Sequence, residues 1–164
     1  MSHEQASIFD RIIDACINKE PLLAFIDGKA GRGKTYLINA LCDKLRSLGQ
    51  IVLPTATAAF AAQLYAGGRT THSMFKVSII HPKLYSFNSE HYTKVPMNDK
   101  SKMLQSPITL TDPRGDLIQS ASAIIWDEAP MANRAVLACV EEVCQNVMGN
   151  TNPPFQWKNS HPTW

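Results

Sequence analysis

The sequence lacks the features that define several protein classes. It has no run of about 18 consecutive apolar residues, which a transmembrane helix requires. Its first residues, MSHEQASIFD, contain neither the basic region nor the apolar stretch of a secretory signal peptide. The guanine-reading motif N-K-x-D is also missing. We therefore expect an intracellular protein with no membrane partner, and a GTPase is disfavoured.

Cysteine is scarce, and no two cysteines form a C-x-x-C pair. The four cysteines lie within helix-like stretches or at the end of one: Cys16, Cys42, Cys139 and Cys144. Free thiols in a reducing compartment are favoured over disulfides or a zinc site. The formal net charge is only +2. This balance neither supports nor excludes nucleic-acid binding, because a local basic groove would not show in the total.

The apolar residues that are present predict alternating strands and helices. The 164 residues are 45% hydrophobic, which is enough for one domain with a core. Continuous apolar runs predict buried strands, and apolar residues at helical spacing predict amphipathic helices. The predicted strands are 22–26, 51–56 and 122–128, and the predicted helices are 5–18, 34–48, 57–66 and 133–149. This order is typical of an α/β protein with a doubly wound parallel sheet and flanking helices.

Two segments do not follow this alternation. Residues about 78–115 are polar and contain four prolines, so we predict a surface insertion with short strands. Residues 150–164, NTNPPFQWKNSHPTW, show no period and predict an irregular tail. One domain over residues 1–149 is therefore expected, interrupted by the insertion.

Residues 28–35, GKAGRGKT, match the phosphate-binding motif G-x-x-x-x-G-K-[ST] in full, between a predicted strand and a predicted helix. Glycines let backbone N–H groups turn toward phosphate oxygens, and the helix N-terminus adds partial positive charge. Lys34 would reach the β- and γ-phosphates, and the Thr35 hydroxyl would bind Mg²⁺. The alternative is a glycine turn with a solvated lysine, which the flanking elements disfavour. The predicted nucleotide-binding residues are Gly28, Lys29, Ala30, Gly31, Arg32, Gly33, Lys34 and Thr35.

A pair of acids ends the third predicted strand, in IIWDEAPM. In P-loop NTPases a carboxylate at this place holds the magnesium shell, and a neighbouring residue orients or deprotonates the attacking water. Asp127 suits the first role, together with Thr35 as a metal ligand, and Glu128 suits the second. Taken alone, such a pair is equally consistent with a solvated strand edge or with negative charge at a helix N-terminus. With the glycine loop upstream, it predicts ATP hydrolysis, with Lys34, Asp127 and Glu128 as the catalytic residues. A small-molecule kinase is disfavoured, because residues 78–115 hold only one arginine for a lid.

Four blocks in order resemble the first ATPase domain of the Pif family of 5′→3′ DNA helicases, nearest to the branch found in Helitron transposons. The blocks are EQASIFDRIIDA, GKAGRGKT, TATAAFAAQLYAGGRTTHSMFKV and ASAIIWDEAPMANR. The resemblance implies a RecA-like P-loop NTPase fold that uses ATP and Mg²⁺ to move along single-stranded DNA. It also implies a role in DNA repair, recombination or telomere maintenance, and a nuclear address with the mitochondrion as the alternative.

The resemblance assigns a nucleotide contact and a first group of DNA contacts. Gln5 matches the glutamine that reads the adenine edge, although a polar residue at a helix start is the alternative. Residues 57–62 match the segment that touches the DNA backbone, with Thr57 and Phe60 as its candidates. Ala59 stands near the place where family members usually carry glycine, which weakens this assignment.

A second group of DNA contacts follows the paired glycines. Thr71, His72, Ser73 and Phe75 match a polar and aromatic cluster that meets DNA in the family, and Thr71, His72 and Phe75 are the candidate DNA contacts. A buried histidine and a core phenylalanine are the alternatives for His72 and Phe75. Arg69 and Lys76 would either contact phosphates or be solvated.

The family pattern is incomplete near the end of this chain. The glutamine that senses the γ-phosphate should follow the acid pair, but Gln156 lacks suitable surroundings. The second RecA-like domain and its arginine are also missing. We expect an incomplete first helicase domain that binds ATP–Mg²⁺ weakly, hydrolyses it slowly and unwinds nothing alone. The alternatives are a non-catalytic nucleotide- or DNA-binding module and a decayed transposon fragment.

Overall fold

A computed structural model of the chain describes residues 1–80, 93–96 and 103–149. Helices and strands alternate through most of these residues, as predicted for an α/β protein. None of the described helices is long and apolar enough to cross a membrane. The helices are α1 His3–Asn18, α2 Lys34–Ser47, α3 Ala59–Ala62, α4 Thr71–Met74, α5 Pro113–Gln119 and α6 Arg134–Met148. The strands are β1 Val52–Ala56, β2 Arg69–Thr70, β3 Ser78–Ile80, β4 Thr93–Pro96, β5 Met103–Ser106 and β6 Ala123–Asp127.

A parallel sheet of order β2-β1-β6 forms the centre of the fold. Strand β1 pairs with β6 from Val52 opposite Ala123 to Ala56 opposite Asp127. The carboxyl ends of the two strands are therefore level. The residues that follow them leave the sheet at one common edge, where open α/β sheets bind ligands.

Both faces of this sheet are covered, so the doubly wound prediction is confirmed. Successive β1 residues alternate between two cores, as the period of a strand requires. Val52 packs with α1 and α2, whereas Leu53 packs with α4, α5 and α6. The helices over the first face bury Ile13, Leu37, Ile38, Leu41, Cys42 and Leu45. Helix α6 over the second face buries Ala135, Val136, Cys139, Val140, Val143, Cys144 and Val147.

The predicted insertion contains an antiparallel sheet of order β3-β5-β4, which confirms the short strands. It is not only a polar surface segment, because Leu104 and Ile108 are buried in the core with α6. Helix α5, which was not predicted, begins inside it, and Asp112 caps this helix by accepting from Arg114 N at 2.7 Å. Residues 81–92 and 97–102 of the insertion, and the predicted tail at 150–164, lie outside the described residues.

The first predicted strand, 22–26, is wrong. These residues form no strand, and Leu22, Leu23 and Phe25 are exposed. The only strand hydrogen-bonded to β6 is β1, so this segment has no strand partner among the described residues. A strand needs a partner for its backbone groups, and an apolar run does not supply one.

The predicted helix at 57–66 is also shorter than expected. Only Ala59–Ala62 is helical. Beyond it the backbone bonds span three residues, from Leu64 N to Ala61 O and from Gly68 N to Tyr65 O. These tight turns bring Tyr65 inward, where its side chain is only 3% exposed.

Candidate nucleotide-binding site

The glycine loop meets the start of α2, as predicted. Gly31 and Gly33 have φ values of +77° and +76°, the left-handed region that glycine adopts without strain. Gly33 is the N-cap of α2 and provides no side-chain hydrogen bond. The first N–H groups of α2 therefore have no side-chain cap and are directed toward the loop. This arrangement of N–H groups and helix dipole favours an anion such as a phosphate.

The Lys34 ammonium lies within the loop that precedes it. Its Nζ donates to the carbonyl oxygens of Gly28 and Lys29, the second at 3.1 Å. Both acceptors are neutral, and a phosphate oxygen is a stronger acceptor for an ammonium group. Lys34 is thus placed where the motif requires a positive charge.

Gln5 fixes the start of α1 against the same loop. Its Nε2 donates to Arg32 O at 2.9 Å, and its Oε1 accepts from Ser2 N at 2.9 Å. Ser2 Oγ in turn accepts from Gln5 N, which completes a capping box for α1. A Cβ at Gly33 would lie 2.9 Å from Gln5 Nε2, so the fit is close. The structure brings Gln5 to the loop, and its adenine contact stays a prediction.

Asp127 and Glu128 lie at the carboxyl end of β6. The Asp127 carboxylate accepts from Glu128 N at 2.9 Å through Oδ1 and from the Tyr65 hydroxyl at 2.5 Å through Oδ2. Glu128 has a φ of 55°, a left-handed conformation that costs energy for a side chain other than glycine. Its Oε2 is buried and has no hydrogen-bond partner among the described residues. An unpartnered buried oxygen is costly, so Glu128 holds acceptor capacity for a further donor such as water.

Tyr65 joins the acid pair to the glycine loop, and the sequence analysis missed it. Burial and the Asp127 hydrogen bond raise the pKa of Tyr65, and the nearby Thr35 hydroxyl opposes them weakly. The phenol therefore remains a hydrogen-bond donor at neutral pH. The two predicted metal ligands, Thr35 and Asp127, are brought together around this phenol. The sequence feature that could have identified this residue is a tyrosine hydroxyl among the mostly apolar side chains of the predicted helix 57–66.

The residues present fit ATP and Mg²⁺. The loop N–H groups and Lys34 suit phosphates, whereas the Thr35 hydroxyl and the Asp127 carboxylate are the hard oxygen donors that Mg²⁺ prefers. Glu128 supplies a buried carboxylate oxygen with capacity to accept a proton. Exposed Lys29, Ala30 and Arg32 complete the predicted loop.

The predicted DNA contacts divide into accessible and buried residues. Phe60 is 77% exposed and His72 is also exposed, so both are accessible to a ligand. Thr71 is fully buried and donates to Ala56 O at 3.2 Å. Phe75 is fully buried in the core that contains α6. The predicted DNA contacts of Thr71 and Phe75 are therefore wrong, because neither side chain reaches the surface.

Thr57 forms hydrogen bonds with the residues at the end of β6. Its Oγ1 donates to Glu128 O at 2.8 Å and accepts from Trp126 Nε1 at 3.0 Å. Its backbone N donates to Asp127 O at 3.2 Å. Thr57 thus fixes the backbone that carries the acid pair, and its DNA contact stays a prediction.

Arg114, in the first turn of α5, holds the carboxyl end of α4 in place. Arg114 Nη1 donates to Ser73 O at 2.6 Å and to Met74 O at 3.2 Å. Lys76, with a φ of 48°, pairs with Asp112 at 3.1 Å. The Asp112 pKa is lowered by the Arg114 backbone hydrogen bond and by Lys76. Lys76 is therefore ion-paired, which neither alternative for this residue anticipated.

The burial of Phe75 leads to a stability prediction. Phe75→Ala should lower the free energy of unfolding by about 3–5 kcal/mol, because it removes a ring from a packed core. Phe60→Ala is the control, and at an exposed position it should change the same quantity by about 0.5 kcal/mol or less. Urea denaturation followed by circular dichroism measures both. Equal stability of the two variants would contradict the core assignment.

Comparison with known proteins agrees with this geometry. The sequence model of the family described as PIF1-like helicase matches residues 1–159. The fold is similar to the structure of unliganded Pif1 from a Bacteroides species, with a TM-score of 0.58 at 20% sequence identity. The match covers 90% of this chain and 27% of that one, and it supports a RecA-like fold. No curated protein matches significantly. The chain belongs to the PIF1-like helicase family.

Proposed function

We propose that this chain is the ATP-hydrolysing first motor domain of a 5′→3′ DNA helicase and that it works together with a second RecA-like domain. The observation that carries the proposal is that the Tyr65 phenol, which donates to Asp127 at the end of β6, also lies beside the Thr35 hydroxyl in the first turn of α2. The family match supports it, although the solved Pif1 chain is much longer, with 27% of its length covered here. We further propose a role in DNA repair, recombination or telomere maintenance, with the nucleus as the address and the mitochondrion as the alternative.

Each residue of the site has a part in hydrolysis. The loop N–H groups and Lys34 hold and orient the phosphates, while Thr35 and Asp127 hold the cation. When bound, Mg²⁺ neutralises charge on the β- and γ-phosphate oxygens. Glu128 accepts a proton from the attacking water through its free carboxylate oxygen.

Single-stranded DNA is the proposed substrate because accessible residues follow the neighbouring strands. Phe60 lies after β1, and His72 lies after β2, at the same edge as the acid pair. An exposed aromatic ring stacks on any base, which suits a motor that moves along DNA without reading its sequence. Thr57 connects this surface to the acid pair through its bond to Glu128 O.

The test is DNA-stimulated ATPase activity of this chain, alone and fused to a second RecA-like domain from a related helicase. We expect little turnover alone and DNA-stimulated turnover in the fusion. ATP binding without turnover in either protein would favour a non-catalytic binding module. Absence of ATP binding would contradict the site itself.

The DNA surface gives a separate prediction. Phe60→Ala should weaken binding of labelled single-stranded oligothymidylate about 5- to 150-fold, since stacking contributes about 1–3 kcal/mol per base. Phe25→Ala is the matched control, because it removes another exposed phenyl ring, 71% exposed, from outside the proposed surface. Fluorescence anisotropy measures both affinities. If the two variants bind alike, Phe60 does not stack on DNA.

A further inference from the structure

We propose that Tyr65 is a positioning residue of the magnesium site, whose phenol orients the Asp127 carboxylate and the Thr35 hydroxyl toward the cation. The inference rests on the proposed function, because it concerns the cation of the same ATP site. Tyr65 contacts neither nucleotide nor cation in this proposal and acts through the two ligands.

The Asp127 carboxylate is held from both of its oxygens. Tyr65 donates to Oδ2 at 2.5 Å, and Glu128 N donates to Oδ1 at 2.9 Å. Two donors on opposite oxygens fix the plane of the carboxylate. Each oxygen has a second lone pair, so both remain able to bind a cation or its water.

The Thr35 hydroxyl also lies beside the Tyr65 phenol, within hydrogen-bonding reach of its oxygen. A hydroxyl has one hydrogen and two lone pairs. When its hydrogen is directed to the Tyr65 oxygen, both lone pairs of Thr35 are available to the cation. Hydrogen bonds in such a chain, from threonine to tyrosine to carboxylate, polarise one another. The phenol therefore sets the direction of both ligands at once.

Packing alone does not require the hydroxyl at this position. The Tyr65 ring lies in the apolar cluster of α1 and α2, with Ile13, Leu37 and Val52 among its members. A phenylalanine ring would fill the same volume, so the hydroxyl is the group that needs an explanation. Its acceptor is the predicted metal ligand, and partners of this kind tune metal affinity.

The experiment is Tyr65→Phe, with cation affinity as the readout. Mn²⁺ binding in the presence of ADP, followed by electron paramagnetic resonance, should weaken about 10- to 100-fold. ADP affinity measured in EDTA should not change, because the loop and Lys34 are untouched. Tyr36→Phe is the matched control, since it removes a phenol hydroxyl from a side chain that is 59% exposed.

The outcomes separate the two proposals. If the wild-type chain shows no cation-dependent ADP binding, the proposed function fails and the role of Tyr65 fails with it. If wild type binds and Tyr65→Phe retains its Mn²⁺ affinity, only the Tyr65 inference is overturned. If Tyr65 had only a structural role, Tyr65→Phe would lower the thermal stability in EDTA and leave the cation affinity of the folded protein unchanged.

A second measurement covers the case in which Tyr65→Phe does not fold. Site-specific 3-fluorotyrosine at position 65 preserves the ring and the hydroxyl. Its ¹⁹F resonance should shift when Mg²⁺ is added to the ADP-bound chain, because the carboxylate that accepts from the phenol takes the cation. An unchanged resonance would overturn the inference.

Discussion

Lys34→Ala should abolish nucleotide binding at ordinary ligand concentrations. Lys34 places its ammonium inside the glycine loop, on the carbonyl oxygens of Gly28 and Lys29. Its removal takes away the ammonium group that would offset the phosphate charge within the loop. Truncating one partner of a hydrogen-bonded charge pair costs about 2–5 kcal/mol, or about 30- to 5,000-fold in affinity. Isothermal titration calorimetry with ATP and Mg²⁺ measures the loss.

The control for this variant is Lys44→Ala, an exposed lysine in the last turn of the same helix. It removes the same charge and leaves the loop intact, so its nucleotide affinity should match wild type. Unchanged affinity in Lys34→Ala would refute the phosphate-binding assignment of the loop.

Glu128→Gln should spare nucleotide binding and stop hydrolysis in the protein completed by a second RecA-like domain. Glutamine keeps the size of the side chain and its carbonyl oxygen, but it cannot accept the proton of the attacking water. Loss of a general base lowers turnover by about 10²- to 10⁴-fold. Steady-state ATPase assays with single-stranded DNA measure turnover, and calorimetry measures binding.

Glu20→Gln is the matched control, because Glu20 is exposed and lies just after α1. Its turnover should equal that of the unmodified fusion. Persistent turnover in Glu128→Gln would show that another group activates the water, and the buried oxygen of Glu128 would then need a different explanation.

The parts of the site that the sequence predicted are those encoded by contiguous residues. The loop 28–35 depends on local glycine conformations and on the helix that follows, so its motif is sufficient. Asp127 and Glu128 were also predicted from contiguous residues, because they directly follow an apolar run that predicts a strand. Tyr65 was missed because its role depends on Asp127, which is distant in the sequence and meets it only in the folded chain.

The errors have a common physical cause, since sequence patterns show which residues are apolar but not what they contact. Phe60 and Phe75 are both aromatic residues in the block that resembles a DNA-contact segment. Phe75 directly follows α4 and is buried in the core that contains α6. Arg114 donates a hydrogen bond to Ser73 O near the carboxyl end of α4, and this bond holds the segment against the core. The apolar run 22–26 likewise predicted burial, yet it pairs with no strand in the part of the chain that the structure describes.

The position of β6 at the border of its sheet has a practical consequence for handling the protein. Among the described strands only β1 pairs with it, so one row of its backbone N–H and C=O groups has no strand partner. Leu23 and Phe25 are also exposed, at 51% and 71%. Unpaired strand edges and exposed apolar side chains are templates for intermolecular β-pairing. We therefore expect concentrated preparations of this chain to aggregate, and we expect a strand that pairs with β6 to reduce this aggregation.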